Sequence, residues 1–253
     1  MIEKIKIVVP TLNTYLILPK LINSLKNQTW DNWNLLFVDG DSSSEHYEWL
    51  INNCKKDSRL KILKQEKNFR GIFGAMNQGF ETIKENEWIL FWGSDDWAIS
   101  SDVLENIINK INSYSNDFDL VVCKGKYIDN KSKKFSRDSI FFKNNFPEIL
   151  DKKGFRDKLF LGMTPPHQAT LFSNTAFQKL SAFSDNLMLA SDLDYFLRLS
   201  QIDNISILVI DHNLVCMSTS GISSQKNKLR LGEVLFSYKN SFGIFFLIPF
   251  ILR

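Results

Sequence analysis

Three cysteines and three histidines are all that the 253 residues offer to a soft metal or a disulfide framework. Cys54, Cys123 and Cys216 stand far apart, and no C-x-x-C occurs. That spacing argues against a zinc site and a disulfide scaffold, and it fits a reducing compartment. His46, His167 and His212 are equally scattered and no H-E-x-x-H occurs, which argues against a histidine-rich metal centre. The phosphate-cradling G-x-x-x-x-G-K-S/T is absent, and "GIFGAMNQG" lacks the G-x-G-x-x-G spacing of a dinucleotide fold. The G-x-S-x-G elbow of serine hydrolases is missing too. A net charge of +3 is too small to argue for nucleic acid. "MIEKIKIVVPT" carries no apolar stretch of secretory type, so a cytoplasmic protein is expected.

What is present is a regular alternation. At 44% hydrophobic and 23% charged residues the chain can bury a large core. "IKIVVP", "NLLFVD", "RLKIL" and "EWILFW" are strand-like runs. Between them, Leu18, Leu21, Ile22 and Leu25, then Tyr47, Leu50 and Ile51, then "GIFGAMNQGFETIK", have helical character. "SDVLENIINKI" is a further helix, with Asp102 and Glu105 at capping-box spacing. Strands alternating with helices predict βαβ units and a mostly parallel sheet. After about residue 119 the pattern becomes irregular. A strand pair is expected around Asp129-Asn130, a Pro-Pro break precedes "HQATLFS", "SDLDYFLRLS" reads as a helix and "ISILVI" as a strand.

Acids gather at the predicted strand ends. Asp39 follows "LLFV", and Asp95 and Asp96 follow "ILFWGS". Ligands of such sheets bind at the carboxyl ends of the strands. Carboxylate pairs suit hard divalent cations, which share their shell with substrate phosphates. A further Asp, among Asp192 and Asp194, can serve as general base. Each acid taken alone reads equally as a helix cap or a turn.

The order of the segments is more specific. "IVVPTLN" (7–13), "SLKNQTWDNWNLLFVDGDSSS" (24–44), "RGIFGAMNQGF" (70–80), "WILFWGSDD" (88–96), "HQATLF" (167–172), "ASDLDYFLRL" (190–199) and "SGISS" (220–224) follow one another along nearly the whole chain. In that order the chain resembles the family 2 glycosyltransferases of GT-A fold, in particular the bacterial type that builds exopolysaccharide, O-antigen and colanic-acid units. The resemblance implies an α/β fold with a mostly parallel sheet and an irregular acceptor-side half. It implies one domain over 1–240, with a nucleotide-sugar half (1–119) and an acceptor half (120–240), and an apolar tail at 241–253.

The resemblance also implies roles. Pro10, Thr11 and Asn13 would line the nucleotide pocket, Asp39 would contact base or ribose, and Arg70 and Gly71 would lie near ribose and diphosphate. Asp96 would be the main ligand of Mn2+ or Mg2+, with Asp95 at the metal or the ribose. Asp192 would be the catalytic base of an inverting transfer. His167 and Gln168 would face the acceptor, with Asp194 able to share the role of Asp192. The implied donor is a nucleotide-diphosphate sugar, and the implied acceptor is a glycan on polyprenyl diphosphate at the membrane's inner face. The chain departs from the pattern in having Ser94 at the first acidic position, Ser191 where many relatives carry Glu, and Asn13 for an acid. His212 is a weak candidate for a third metal ligand. Two alternatives stay open: a sugar-1-phosphate nucleotidylyltransferase, although "PTLNTYLILPK" has neither Gly nor Arg, and a non-catalytic nucleotide-sugar or glycan-binding module of the same fold.

The tail, "SFGIFFLIPFILR", is nearly all apolar from Ser241 to Leu252. As a helix it would measure about 18 Å, too short to cross a bilayer. Lys226, Lys228, Arg230, Lys239 and Arg253 against Glu233 give residues 226–253 a net +4. Basic residues beside an apolar segment suit an anionic membrane surface. Packing against the domain or a second subunit is the other reading.

Overall fold

The computed structural model describes residues 4–129, 135–142, 148–219 and 226–253. "SGISS" and Asn130 of the expected turn lie outside the described residues. The first half alternates as its periodicity predicts: β1 (Lys4–Thr11), α1 (Leu18–Lys26), β2 (Trp33–Asp39), α2 (Ser44–Lys56), β3 (Leu60–Lys64), α3 (Gly71–Phe80) and β4 (Glu87–Phe91). A short β5 (Trp97–Ala98) and α4 (Val103–Asn112) follow. The strands lie in the order β3-β2-β1-β4, all parallel.

The second half extends the same sheet. β6 (Leu120–Ile128) and β10 (Ile207–Ser218) pair in parallel. Between β4 and β6 sits β9 (Thr170–Ser173), antiparallel to both. Three short strands, β5, β7 (Phe135–Asp138) and β8 (Ile149–Leu150), pair antiparallel with β10 or β6. The sheet is therefore mixed, with its long pairings parallel. α5 (Lys152–Phe160), α6 (Asn174–Lys179), α7 (Ser191–Leu199), α8 (Asn227–Phe242) and α9 (Leu247–Leu252) complete the chain.

The apolar runs exist because both faces of the sheet are covered. Along β1, Ile5, Ile7 and Val9 enter the core shared with α1 and α4, while Val8 enters the opposite core with Phe80 and Phe91. Lys6 interrupts that second face. Its ammonium pairs with Glu87 at 2.8 Å and also donates to the Thr82 carbonyl. The second core is dense in rings: Phe80, Phe91, Phe172, Phe183 and Tyr195 meet at edge-to-face and tilted contacts.

Two local expectations change. Asp102 stands at the N-cap of α4, but its carboxylate accepts from Ser100 Oγ (2.6 Å) and Asn106 Nδ2 (3.0 Å) instead of capping. Glu105 accepts from Thr29 Oγ1 at 2.6 Å, so the capping box does not close. Both acids accept from side chains in place of the backbone N–H groups of the first turn. The tail, in turn, has two faces. Phe242, Phe246 and Phe250 pack onto the second core, while Ile244 and Ile251 are 85% and 77% exposed.

α3 rests directly on β1 at Gly79. A Cβ there would lie 2.4 Å from Val8 Cγ1. Gly79→Ala should therefore destabilise the fold by about 1–3 kcal/mol, although Ala is the better helix former. Urea unfolding checks this, and an unchanged or raised midpoint would contradict it.

Candidate active site

The carboxyl ends of β1, β2 and β4 form one edge. Thr11 and Asp39 are direct register partners there. Asp39 is buried, and its Oδ1 accepts from Ser42 Oγ (2.6 Å) and Thr11 Oγ1 (3.3 Å), its Oδ2 from the Ser42 N–H (3.2 Å). His46, fully buried in α2, places Nε2 3.4 Å from Asp39 Oδ1. Burial pushes the imidazole below its ordinary range, against the opposing pull of Asp39. Asn13 has φ +53° and ties the two loops together: its N–H donates to Ser42 Oγ, and its Oδ1 accepts from the Ser43 N–H at 2.9 Å. Asparagine tolerates that backbone where most residues do not.

Arg70 is exposed at the N-cap of α3, and Gly71 follows with φ +66°. Gln65 Nε2 holds this corner by donating to the carbonyls of Phe69 (2.7 Å) and Gly71 (2.8 Å). Ser94 Oγ donates to the Pro10 carbonyl at 3.1 Å and accepts from Thr14 Oγ1 at 3.0 Å. The serine in the acidic motif thus pins the β1 loop to the β4 loop.

Asp95 and Asp96 crowd the backbone of Gly93, where a Cβ would lie 3.0 Å from Asp95 Oδ1 and 3.3 Å from Asp96 Oδ2. Asp96 is buried and accepts from the Gly93 N–H at 2.6 Å. Burial first, and then the neighbouring Asp95 charge, push Asp96 well above the usual carboxylate range.

The third group comes from the second half of the chain. His167 Nδ1 lies 3.1 Å from Asp192 Oδ2, and each side chain is about one-fifth exposed. Burial alone would raise Asp192. The His167 hydrogen bond and charge, Arg253 and the Leu193 N–H outweigh it and hold the carboxyl below its ordinary range. Asp192 is thus in the carboxylate form at neutral pH. The loop carrying His167 is fastened to the β4 edge, because Trp92 Nε1 donates to the Gln168 carbonyl at 2.9 Å. Asp194 is turned elsewhere, pairing with Arg198 Nε at 2.7 Å one helical turn on. His212 is exposed beside Asp102.

The family model for glycosyl transferase family 2 matches residues 6–181, more than half of the chain. The chain belongs to that family. Among curated relatives, a PGL/p-HBAD biosynthesis glycosyltransferase of Mycobacterium bovis is 30% identical over 101 residues, 40% of this chain and 39% of that one. A GalNAc(5)-diNAcBac-PP-undecaprenol beta-1,3-glucosyltransferase of Campylobacter jejuni is 25% identical over 70% of this chain and 60% of its own length. The chain therefore spans about two-fifths to three-fifths of these relatives. Among solved structures, S. aureus TarS 1-349 in complex with UDP-GlcNAc aligns at a TM-score of 0.70, with 18% identity over 94% of this chain and 67% of that one. The mannosyltransferase PcManGT from Pyrobaculum calidifontis, with GDP-Man and Mn2+, aligns at 0.66, with 12% identity over 98% of this chain and 69% of that one. The fold is GT-A. Membership of that family favours the glycosyltransferase reading over the nucleotidylyltransferase one.

Among the described residues of this family member, no three His, Cys, Asp or Glu side chains converge as a metal cage. The Asp95–Asp96 pair nevertheless fits a divalent cation. Two adjacent carboxylates, one of them buried and driven towards its neutral form, are what such an ion would neutralise, with diphosphate oxygens filling the shell.

Other residues at the site carry no signal in the sequence. Tyr127 on β6 lies in the electrostatic field of both Asp96 and Asp192, and Arg137 of β7 sits 4.6 Å from its ring centre. Burial pushes its phenol up. His46 and Gln65 are equally unmarked, since one lies inside a helix and the other just past a strand.

Asp192 gives a pH prediction. Its folded value is depressed, so its stabilisation is present above the unfolded value and lost as pH falls through the folded one. Asp192→Asn should cost most stability near pH 7, and the gap should close below about pH 4. Urea midpoints at pH 7, 5 and 3 measure it; a gap that widens on acidification would count against the pairing.

Proposed function

We propose that this chain is a metal-dependent inverting glycosyltransferase with Asp192 as its base. It moves a sugar from a nucleotide-diphosphate donor to a glycan acceptor borne on polyprenyl diphosphate. The observation that carries the reading is the Trp92–Gln168 hydrogen bond at 2.9 Å. It fastens the strand end bearing Asp95 and Asp96 to the loop bearing His167, which touches Asp192. An acidic pair suited to a diphosphate and an ionised carboxylate suited to a hydroxyl proton thus stand on segments tied to each other.

In this mechanism Thr11, Asn13 and Asp39 frame the nucleoside, with Pro10 holding Ser94 and Arg70 and Gly71 near the diphosphate. The acceptor hydroxyl gives its proton to Asp192 while its oxygen attacks the anomeric carbon. The bond from that carbon to the diphosphate oxygen breaks, and the electron pair leaves with the diphosphate. Attack opposite the leaving group inverts the centre. A divalent cation held by Asp95 and Asp96 would stabilise the leaving charge as a Lewis acid. His167 keeps Asp192 ionised and oriented, and Gln168 borders the acceptor.

The membrane part of the reading rests on the outward face of the tail. Ile244, Phe245, Ile248 and Ile251 are exposed, and Lys226 at the N-cap of α8 and Lys228 and Arg230 in its first turn precede them. No helix among the described residues is long and apolar enough to cross a membrane. The tail would lie on the inner face of the cytoplasmic membrane.

Two measurements test these statements. Asp192→Asn should lower turnover by about 10²–10⁴-fold. A Mn2+-dependent thermal shift by the nucleotide sugar should remain. Near-normal turnover would sink the base, and absence of both turnover and thermal shift across nucleotide sugars in the wild type would favour the non-catalytic module. Replacing Ile244, Phe245 and Ile251 together by Ser should release the protein from anionic vesicles with little change in melting temperature. Equal vesicle partitioning of the two proteins would end the surface-anchor idea.

A further inference from the structure

α7 begins without a cap of its own. Its N-cap residue is Ala190, whose side chain has no acceptor. A helix start leaves its first N–H groups unpaired, and Ser, Thr, Asp or Asn normally answers them. Here α8 supplies an anchor at the N-cap and in the two residues before it. The N–H groups of Met188, Leu189 and Ala190, three in a row, converge on the carboxylate of Glu233. Oε1 accepts from Met188 at 2.9 Å, and Oε2 accepts from Leu189 at 2.7 Å and Ala190 at 2.9 Å. Glu233 is only 7% exposed, and its own turn is held by Ser237 Oγ on its carbonyl.

Asp192 stands two residues past this anchor, in the first turn of α7. Its carboxylate can meet His167 only while the 188–190 segment keeps its direction. Ser191, between the anchor and Asp192, is tied back by its Oγ donating to the Ser184 carbonyl at 2.8 Å. A negative charge at the start of a helix is also favoured by the helix dipole.

We propose that Glu233 is the positioning residue of Asp192, so that α8 belongs to the catalytic apparatus. The inference rests on the reading of Asp192 as base. A carboxylate is the side chain for this place because it only accepts, and three donors point at it. Glutamine would set an NH2 group against one of them.

The test is a double-mutant cycle in the full chain. Turnover is measured with UDP-GlcNAc, UDP-glucose and GDP-mannose in Mn2+, and the His167 ring proton signal is followed by NMR, assigned with His167→Gln. Glu233→Gln should lower kcat at least tenfold with donor KM within twofold. It should move the His167 signal towards its position in Asp192→Asn. In the Asp192→Asn background it should add no further shift and no further loss. Glu233→Asp, which keeps the charge but shortens the reach, should fall between and serves if Glu233→Gln does not fold. Wild-type kcat and an unmoved His167 signal in Glu233→Gln, with Asp192→Asn inactive, would overturn the positioning role alone. An equal additional loss in the double variant would also overturn it. Full turnover in Asp192→Asn would instead remove the base on which the inference depends.

Discussion

A parallel strand covered on both faces has nowhere to put a polar group except at its ends. β1, β2 and β4 obey that constraint, and it makes the site. Their interiors are apolar apart from the half-buried Asn34 and Lys6, which is neutralised by Glu87. Their polar residues are pushed to one edge, where Thr11 meets Asp39 and Ser94 spans back to Pro10. The serine at the first acidic position serves this edge well. A carboxylate there would add a third charge beside Asp95 and Asp96, whereas the hydroxyl both donates and accepts.

The two acids of the proposed mechanism sit in opposite electrostatic conditions. Asp96 is buried beside a like charge and resists ionisation, while Asp192 is held ionised by His167 and Arg253. Carboxyls driven apart in this way take different tasks within one site. In the proposed mechanism Asp96 would meet the cation, and Asp192, already ionised, would be open to the proton.

The first half of the fold was legible in the sequence because its signals are local. Apolar runs, helical spacing and acids at strand ends reproduce β1 to β4 with their helices and α4, missing only the two-residue β5, and place Asp39, Asp95 and Asp96 on one edge. What could not be read depends on contacts distant in sequence. The four residues of β9 carry no sign that they run antiparallel between β4 and β6. Asp102 and Glu105 have the spacing of a capping box, yet each is claimed by another donor. Asp194 and Asp192 look equivalent in "SDLDYF" until Arg198 takes one and His167 the other. Glu233 reads as an isolated acid in a basic stretch, and only the packing of α8 on α7 gives it three backbone donors. The family match itself ends at residue 181, before Asp192 and Glu233 are reached.

The place of β9 also sets an order of events at the ribosome. β1 with β2, and β2 with β3, close short loops as their helices emerge, and β1 then takes β4 across the whole of the first half. The outer edge of β4, with Trp88 and Ile89, must then wait for Phe172 and Ser173. An unpaired apolar strand edge is a template for the wrong partner. The nascent chain therefore carries this apolar edge unpaired through the whole synthesis of residues 92–169, until β9 arrives.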